Sequence, residues 1–348
     1  MVVDKIQVSG DSRVEYKTAN LNGHTYSYLL SQPKSGTYKA TIFLIHGFPD
    51  ISMGWRYQIP MLVDMGLRVV APDCLGYGRT VSFQDFMVII PKDLTIAGCT
   101  RRLHTLLAQK LRSRHQSPGD PSRRDSDHPR GAAFAYRIAL WYPELVSHLF
   151  TVCVPYARPM KEGISLESLV QNAAPHFAYQ LQFKSGELEK VIRSKSDIRQ
   201  FLLALYGGRT EAGEVGFDAH KGVLVDKIGG LKPSRLLTEE ELEYYTNEFA
   251  RSGVHGPLNW YRTREVNHRE ELEILDRQIQ IPTLFIQALR DQALPPHLGK
   301  SMAKHIPNFT LKQVNTSHWA LWEKPEEVNT IISDWLKESV FVGRAGKL

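Results

Sequence analysis

Three places in the chain put reactive residue types where extended segments end. His46-Gly47-Phe48-Pro49-Asp50 closes the run that begins at Ala40. A Gly-Pro turn at a strand end lets backbone N–H groups point into a cleft, as stabilising an oxyanion requires. The same turn also serves as a plain chain reversal. Asp291 lies in ALRDQALPP, just past an apolar run ending at Gln287. His318 lies in NTSHWALW, after the run Phe309 to Val314. A lone Asp or His near a strand end is more often structural. An acid after one strand followed by a His after the next is a base pairing: the carboxylate fixes the imidazole tautomer and frees the other nitrogen to take a proton.

Those residues need strands to carry them. Ala40 to His46, Leu67 to Ala71, Leu149 to Val154 and Pro282 to Gln287 are short, nearly continuous apolar runs rich in β-branched residues. Such runs suit buried strands of a parallel sheet covered on both faces. Helical periodicity lies between them, at Gly131 to Tyr142 and at Glu326 to Lys337, where Val328, Ile331, Ile332 and Trp335 share one face. Strands alternating with helices predict an α/β fold with a doubly wound, mostly parallel sheet. From about 155 to 271 the pattern is helical with polar connections. One helix spans Asp197 to Tyr206 and stops at Gly207-Gly208. Another opens on a capping box, Thr238 with Glu241, and ends near Gly253. The expected organisation is a first core part over 1–154, an inserted helical lid over 155–271, a second core part over 272–340 and a tail over 341–348.

One interval breaks the pattern. Residues 112–130 read RSRHQSPGDPSRRDSDHPR, with no apolar side chain and with Pro118, Pro121 and Pro129. This stretch has nothing to bury, and its prolines remove ladder donors, so it cannot be a central strand. A central strand is nevertheless what should precede the helix at Gly131. Between Thr80 and Gly131 only Leu103 to Leu111 keeps an amphipathic helical pattern.

Composition limits the functional classes. The 348 residues are 42% hydrophobic and 23% charged, with a net charge of +6, which fits an ordinary globular protein of one large domain. Much of the positive charge sits in 101–130, which holds eight Lys/Arg against three acids. That window lacks interleaved aromatics and fits no nucleic-acid motif, so no nucleic-acid partner is expected. Cys74, Cys99 and Cys153 form no CxxC pair and read as reduced thiols of an intracellular chain. No run approaches the roughly 18 apolar residues of a membrane span, and the N-terminus has no secretory pattern. A cytoplasmic location is expected. The ending Gly346-Lys347-Leu348 is close to a peroxisomal Ser-Lys-Leu signal but lacks the serine. Nothing in the chain indicates an oligomeric state.

The motifs HGFPD, MGWRYQIP, APDCLGYGRT, YRIALWYPELV, YQLQF, GPLNWYRT, the Asp291 loop and SHWALWEKPEEV together resemble the epoxide hydrolase branch of the α/β-hydrolases, of the fungal and animal soluble type. The resemblance runs over roughly 1–80 and 131–338. It implies an α/β-hydrolase fold, lid tyrosines at Tyr179 and Tyr261, and the HGxP turn at His46, Gly47 and Pro49. It also implies the acid Asp291 and the base His318. The implied partners are a small apolar epoxide and water. No cofactor is implied, and no metal-ligand spacing is evident.

The family's nucleophile is an Asp in a GHDWG-like elbow. Laid on His128-Pro129-Arg130-Gly131, that pattern puts Pro129 on the nucleophile and Arg130 on the residue after it. The implied mechanism has the carboxylate open the oxirane to a covalent ester while both tyrosines donate to the emerging alkoxide. The backbone N–H groups of Phe48 and Arg130 hold the oxyanion, and His318 activates water to release a vicinal diol. Proline cannot attack. Asp127 is the weak substitute; Ser122 and Ser126 lack a G-x-S-x-G frame. Since the flanks keep every other catalytic residue, 80–130 is expected to be a translated frame shift or retained intron. As written, the sheet should lose its middle and 112–130 should be a disordered loop. The alternatives are a non-catalytic binding protein or pseudoenzyme of the same fold, and a haloalkane dehalogenase-like hydrolase.

Overall fold

A computed structural model describes residues 3–21, 24–80 and 131–341. The expected helix at Leu103 to Leu111, the loop at 112–130, the elbow residues Asp127, Pro129 and Arg130, Cys99, and the tail Gly346-Lys347-Leu348 lie outside the described residues.

The strands are β1 (Glu15–Leu21), β2 (His24–Ser31), β3 (Ala40–Phe43), β4 (Leu67–Pro72), β5 (Leu149–Val152), β6 (Phe217–Asp218), β7 (Gly222–Val223), β8 (Thr283–Ala288) and β9 (Phe309–Val314). They form two main sheets. One has the order β1-β2-β4-β3 and the other β5-β8-β9, with β6 and β7 making a small separate ladder. β3 runs parallel to β4, and β5, β8 and β9 are mutually parallel. The N-terminal hairpin β1-β2, its seam with β4 and the small β6-β7 ladder are antiparallel. Among the described residues, β3 is an edge of the first sheet and β5 of the second.

Strand β8 is buried along its whole length. Leu284 and Ile286 point into the larger apolar cluster, with Val328 and Ile332, whereas Phe285 points into a second one with Tyr136, Ile274 and Met302. Helices therefore cover both faces, which explains why Thr283–Ala288 reads as a nearly continuous apolar run. Strand β3 departs from expectation. It stops at Phe43 instead of His46, and all four of its residues are only half-buried. Among the described residues it has a neighbour, β4, on one side only, so its side chains are covered as an edge strand's are.

The core helices are α1 (Gln58–Asp64), α2 (Gly131–Trp141) and, at the end of the chain, α11 (Pro325–Leu336). Between β5 and β8 lie α3 (Leu166–Asn172), α4 (Ala178–Ser185), α5 (Glu187–Val191), α6 (Lys195–Leu205), α7 (Glu239–Ser252), α8 (His255–Asn259) and α9 (Arg264–Glu271). A short α10 (Ala320–Glu323) precedes α11. Helix α6 begins two residues earlier than its apolar periodicity, because Ser194 and Asp197 form a full capping box. The box at Thr238 and Glu241 opens α7, and Gly253 closes it.

Helix α7 is fixed to the core along one face. Glu241 accepts from Arg56 Nε and Lys5 Nζ, both at 2.8 Å, and Glu248 takes Arg79 at 2.8 and 3.0 Å. Tyr244 meets Tyr16 hydroxyl to hydroxyl. Helix α8 docks by close backbone approach. A Cβ on Gly256 would stand 2.6 Å from the Gly76 carbonyl oxygen, and one on Gly76 2.9 Å from Gly256 Cα. Next to that contact, Trp260 Nε1 donates to the Leu75 carbonyl at 3.0 Å. At the far end, Arg137 of α2 forks onto Glu271 of α9 at 2.6 and 2.9 Å.

Candidate active site

The carboxyl ends of β5, β8 and β9 lie side by side, and each is followed by a residue that can do chemistry. Asp291 comes three positions after β8 and His318 four after β9. Asp291 Oδ2 meets His318 Nδ1 at 2.6 Å. Its other oxygen, Oδ1, accepts from the N–H groups of Ala293 and Leu294, both at 2.9 Å. The Asp291 side chain is fully buried, while that of His318 is 32% exposed. Burial works against ionising Asp291. The imidazole opposite it and the two loop N–H groups outweigh burial and hold the carboxyl below its ordinary value. The carboxylate thus fixes one ring nitrogen and leaves the imidazole edge toward solvent.

The turn after β3 is held from both sides. His46 is buried; its Nδ1 lies 2.9 Å from the Gly47 carbonyl and its Nε2 accepts from the Cys74 N–H at 2.9 Å. The first contact makes Nδ1 the protonated nitrogen. Burial pushes the ring's pKa down, which keeps it neutral. His46 therefore pins the turn to the segment after β4. From the helical block, Tyr206 Oη donates to the Pro49 carbonyl at 2.5 Å, and Tyr245 Oη donates to Asp50 Oδ1 at 2.7 Å. Asp50 sits so close to Gly54 that a Cβ there would stand 1.9 Å from Oδ2. Burial raises the Asp50 pKa against these partners.

Tyr179, near the start of α4, and Tyr261, two residues past α8, are both buried. Their rings lie 6.3 Å apart. Phe48 packs edge-on to Tyr261 at 5.3 Å and against Phe183 at 5.2 Å, while Phe183 meets Tyr179 at 5.2 Å. Tyr179, Tyr261, Phe48, Asp291 and His318 all line one cavity of about 1790 Å³, whose lining also includes residues of β3 and β5.

The structure thus brings together Asp291, His318, Tyr179, Tyr261, Phe48 and the His46-Gly47-Pro49 turn, all picked from sequence. Two features were not foreseen. Tyr206 and Tyr245 brace the turn across sequence separations of 157 and 195 positions, and each reads in sequence as a helix residue like any other. Cys153, directly after β5, has its Sγ within 4.8 Å of donor atoms of Asp291 and His318. It is a non-glycine residue at φ 65°, and its thiol donates to the His318 carbonyl at 3.2 Å. Burial first, then the Asp291 charge, pushes this thiol well above its ordinary pKa. The sequence offered no sign that Cys153 differs from Cys74.

No protein-family model matches the chain. Among individual proteins, epoxide hydrolase srdG of Neurospora crassa is 37% identical over 343 residues, covering 94% of this chain and 97% of that protein. Bifunctional epoxide hydrolase 2 of Rattus norvegicus is 33% identical over 313 residues, covering 86% of this chain and 52% of the rat protein, so the chain spans about half the length of that relative. Among solved structures, epoxide hydrolase A from Mycobacterium thermoresistibile superposes with a TM-score of 0.72 at 24% identity, covering 93% and 98% of the two chains. An epoxide hydrolase of Vigna radiata gives 0.72 at 20%, covering 94% and 99%. The structural likenesses show the α/β-hydrolase fold. With identity of 37% across nearly the full length of both proteins, the chain belongs to the epoxide hydrolase family.

Proposed function

We propose that this site is shaped to bind a small apolar epoxide and polarise its oxygen. We further propose that the chain as written does not complete the covalent route to a vicinal diol. The observation that carries the first part is the Asp291–His318 pair, 2.6 Å apart, opening on a cavity that also presents Tyr179 and Tyr261. In this reading the two hydroxyls donate to the oxirane oxygen, so negative charge developing as the C–O bond breaks is met by donors already in place. The Phe48 N–H, held by the braced turn, serves the oxyanion of an ester intermediate. His318, with Nδ1 committed to Asp291, takes a proton from water at its other nitrogen. The helices from α3 to α9 act as the lid.

The second part rests on Pro129. An ester intermediate needs a carboxylate there, and none is encoded. A dehalogenase would need indole donors for the leaving halide. At the lid this site presents the hydroxyl-bearing Tyr179 and Tyr261 instead, so that reading ranks lower.

The test pairs calorimetric titration of an apolar amide that mimics the epoxide with a diol-release assay. Binding without diol release is expected. Replacing both Tyr179 and Tyr261 by Phe should weaken binding by about tenfold, the worth of one or two neutral hydrogen bonds. Absence of binding would sink the reading. Diol release by the chain as written would show that another nucleophile operates, and Asp127→Asn is then the variant to assay.

A further inference from the structure

We propose that Cys153, Asp291 and His318 form a binding site for one borderline-soft divalent cation, Zn²⁺ being the best fit. The three residues end three neighbouring parallel strands, so their donors converge although Cys153 and His318 are 165 positions apart. One donor atom from each lies within 4.8 Å of the other two. Zn²⁺ held tetrahedrally, with sulfur at about 2.3 Å and nitrogen or oxygen at about 2.0–2.1 Å, needs donors roughly 3.3–3.6 Å apart. The carboxylate–imidazole contact, now 2.6 Å, must open by under about 1 Å, and the sulfur must approach by about the same amount.

The donor types select the metal. One thiolate, one imidazole and one carboxylate suit Zn²⁺ or Co²⁺ and are poor for Mg²⁺ or Ca²⁺, which want oxygen. Three protein donors leave a fourth tetrahedral position for water, on the cavity side where His318 is partly exposed. The backbone at φ 65° sets the direction of the Cys153 Cα–Cβ bond, and the 3.2 Å contact with the His318 carbonyl holds its sulfur.

Binding replaces protons. The thiol proton is released to solvent and the Nδ1 proton of His318 moves to Nε2, so the cation meets a thiolate, a neutral imidazole and a carboxylate. A metal-loaded site therefore cannot use His318 as a base. The two uses of Asp291 and His318 exclude each other. This inference does not depend on epoxide turnover, since it concerns only what three side chains coordinate.

The test is titration of Co²⁺ into the metal-free, reduced full-length protein, followed by absorption. Expected is a 1:1 end point with tetrahedral d–d bands and a near-ultraviolet sulfur-to-cobalt charge-transfer band, both abolished by excess Zn²⁺. Cys153→Ser should remove the charge-transfer band and weaken binding by about tenfold or more, and His318→Gln should weaken binding while retaining the band. A measurement without variants guards against a folding defect: Zn²⁺ should protect Cys153, located by peptide mapping, from alkylation during partial unfolding. Binding without a charge-transfer band, equal affinity in Cys153→Ser, or no protection of Cys153 would each overturn the proposal.

Discussion

At the scale of single residues, the site depends on side chains that burial alone would not leave where they are. Asp291 is ionised in a fully buried position because His318 and two loop N–H groups favour its charged form. Its folded pKa is depressed, so the stability it contributes is present above the ordinary value of 3.8 and is lost as pH falls through the lower folded value. Asp291→Asn should therefore cost about 1.5–3 kcal/mol near neutrality, the range for hydrogen bonds to a charged group. The deficit should shrink as pH drops below 3.8; urea unfolding of both proteins across that range measures it, and a deficit unchanged by acid would refute the ionised assignment. Tyr245→Phe tests the braced turn. It leaves Asp50 Oδ1 without its 2.7 Å donor and should cost about 1–3 kcal/mol. Asp291 and His318 were legible because each follows an extended apolar run within a few positions. Cys153 was not, since nothing local marks a backbone that turns to φ 65° beside a partner from another strand.

At the scale of elements, the same contrast holds between periodic and long-range information. The capping box at Thr238 is written within four residues, and the helix behind it fell where expected; the box at Ser194 starts its helix two residues before the expected Asp197. What docks those helices is spread across the chain. Arg56 is wholly buried, donates to Glu241 at 2.8 Å and lays its guanidinium 4.5 Å above Trp322. Glu241→Gln leaves that charge buried without its counter-ion and should cost about 3–5 kcal/mol, whereas Arg56→Met with Glu241→Leu should recover most of the loss. A double variant no more stable than Glu241→Gln would show that shape, not charge, governs the seam. Gly256 supplies the complementary steric test. Its φ is ordinary, so only space is at issue, and a Cβ would meet Gly76 backbone atoms at 2.6–3.1 Å. Gly256→Ala should destabilise by about 1–3 kcal/mol. Because α8 carries Tyr261 two residues beyond its end, ligand binding should weaken along with it. Calorimetry and thermal unfolding on one preparation read both.

At the scale of the whole molecule, edge strands β3 and β5 of the two described sheets line the same cavity as Asp291 and His318. The alternation of strands and helices disclosed the doubly wound plan, and the apolar runs disclosed β4, β5 and β8. The half-buried state of β3 was not legible, because Ala40 to His46 has the composition of a central strand and burial depends on what lies beyond it. Residues 112–130, directly before the helix at Gly131, do not encode a central strand, and this predicts an asymmetry in amide exchange. In a parallel strand alternate N–H groups point to opposite neighbours. Among the described residues β4 has strands on both sides at Val69 and Val70 and β8 from Thr283 to Ile286, whereas β3 and β5 each have one neighbour. Amides of β4 and β8 should exchange at the slowest rates in the protein. The N–H groups of β3 and β5 directed away from β4 and β8 should exchange faster by about an order of magnitude or more. If the transcript across codons 80 to 131 instead encodes an apolar strand and a His-Asp-Trp-Gly-like elbow, the protein made from it should equalise protection across all four strands and gain diol release together. Uniform protection in the chain as given would mean that some part of 81–130 already pairs with β3 and β5, and that strand pairing here tolerates a sequence with neither the usual periodicity nor a nucleophile.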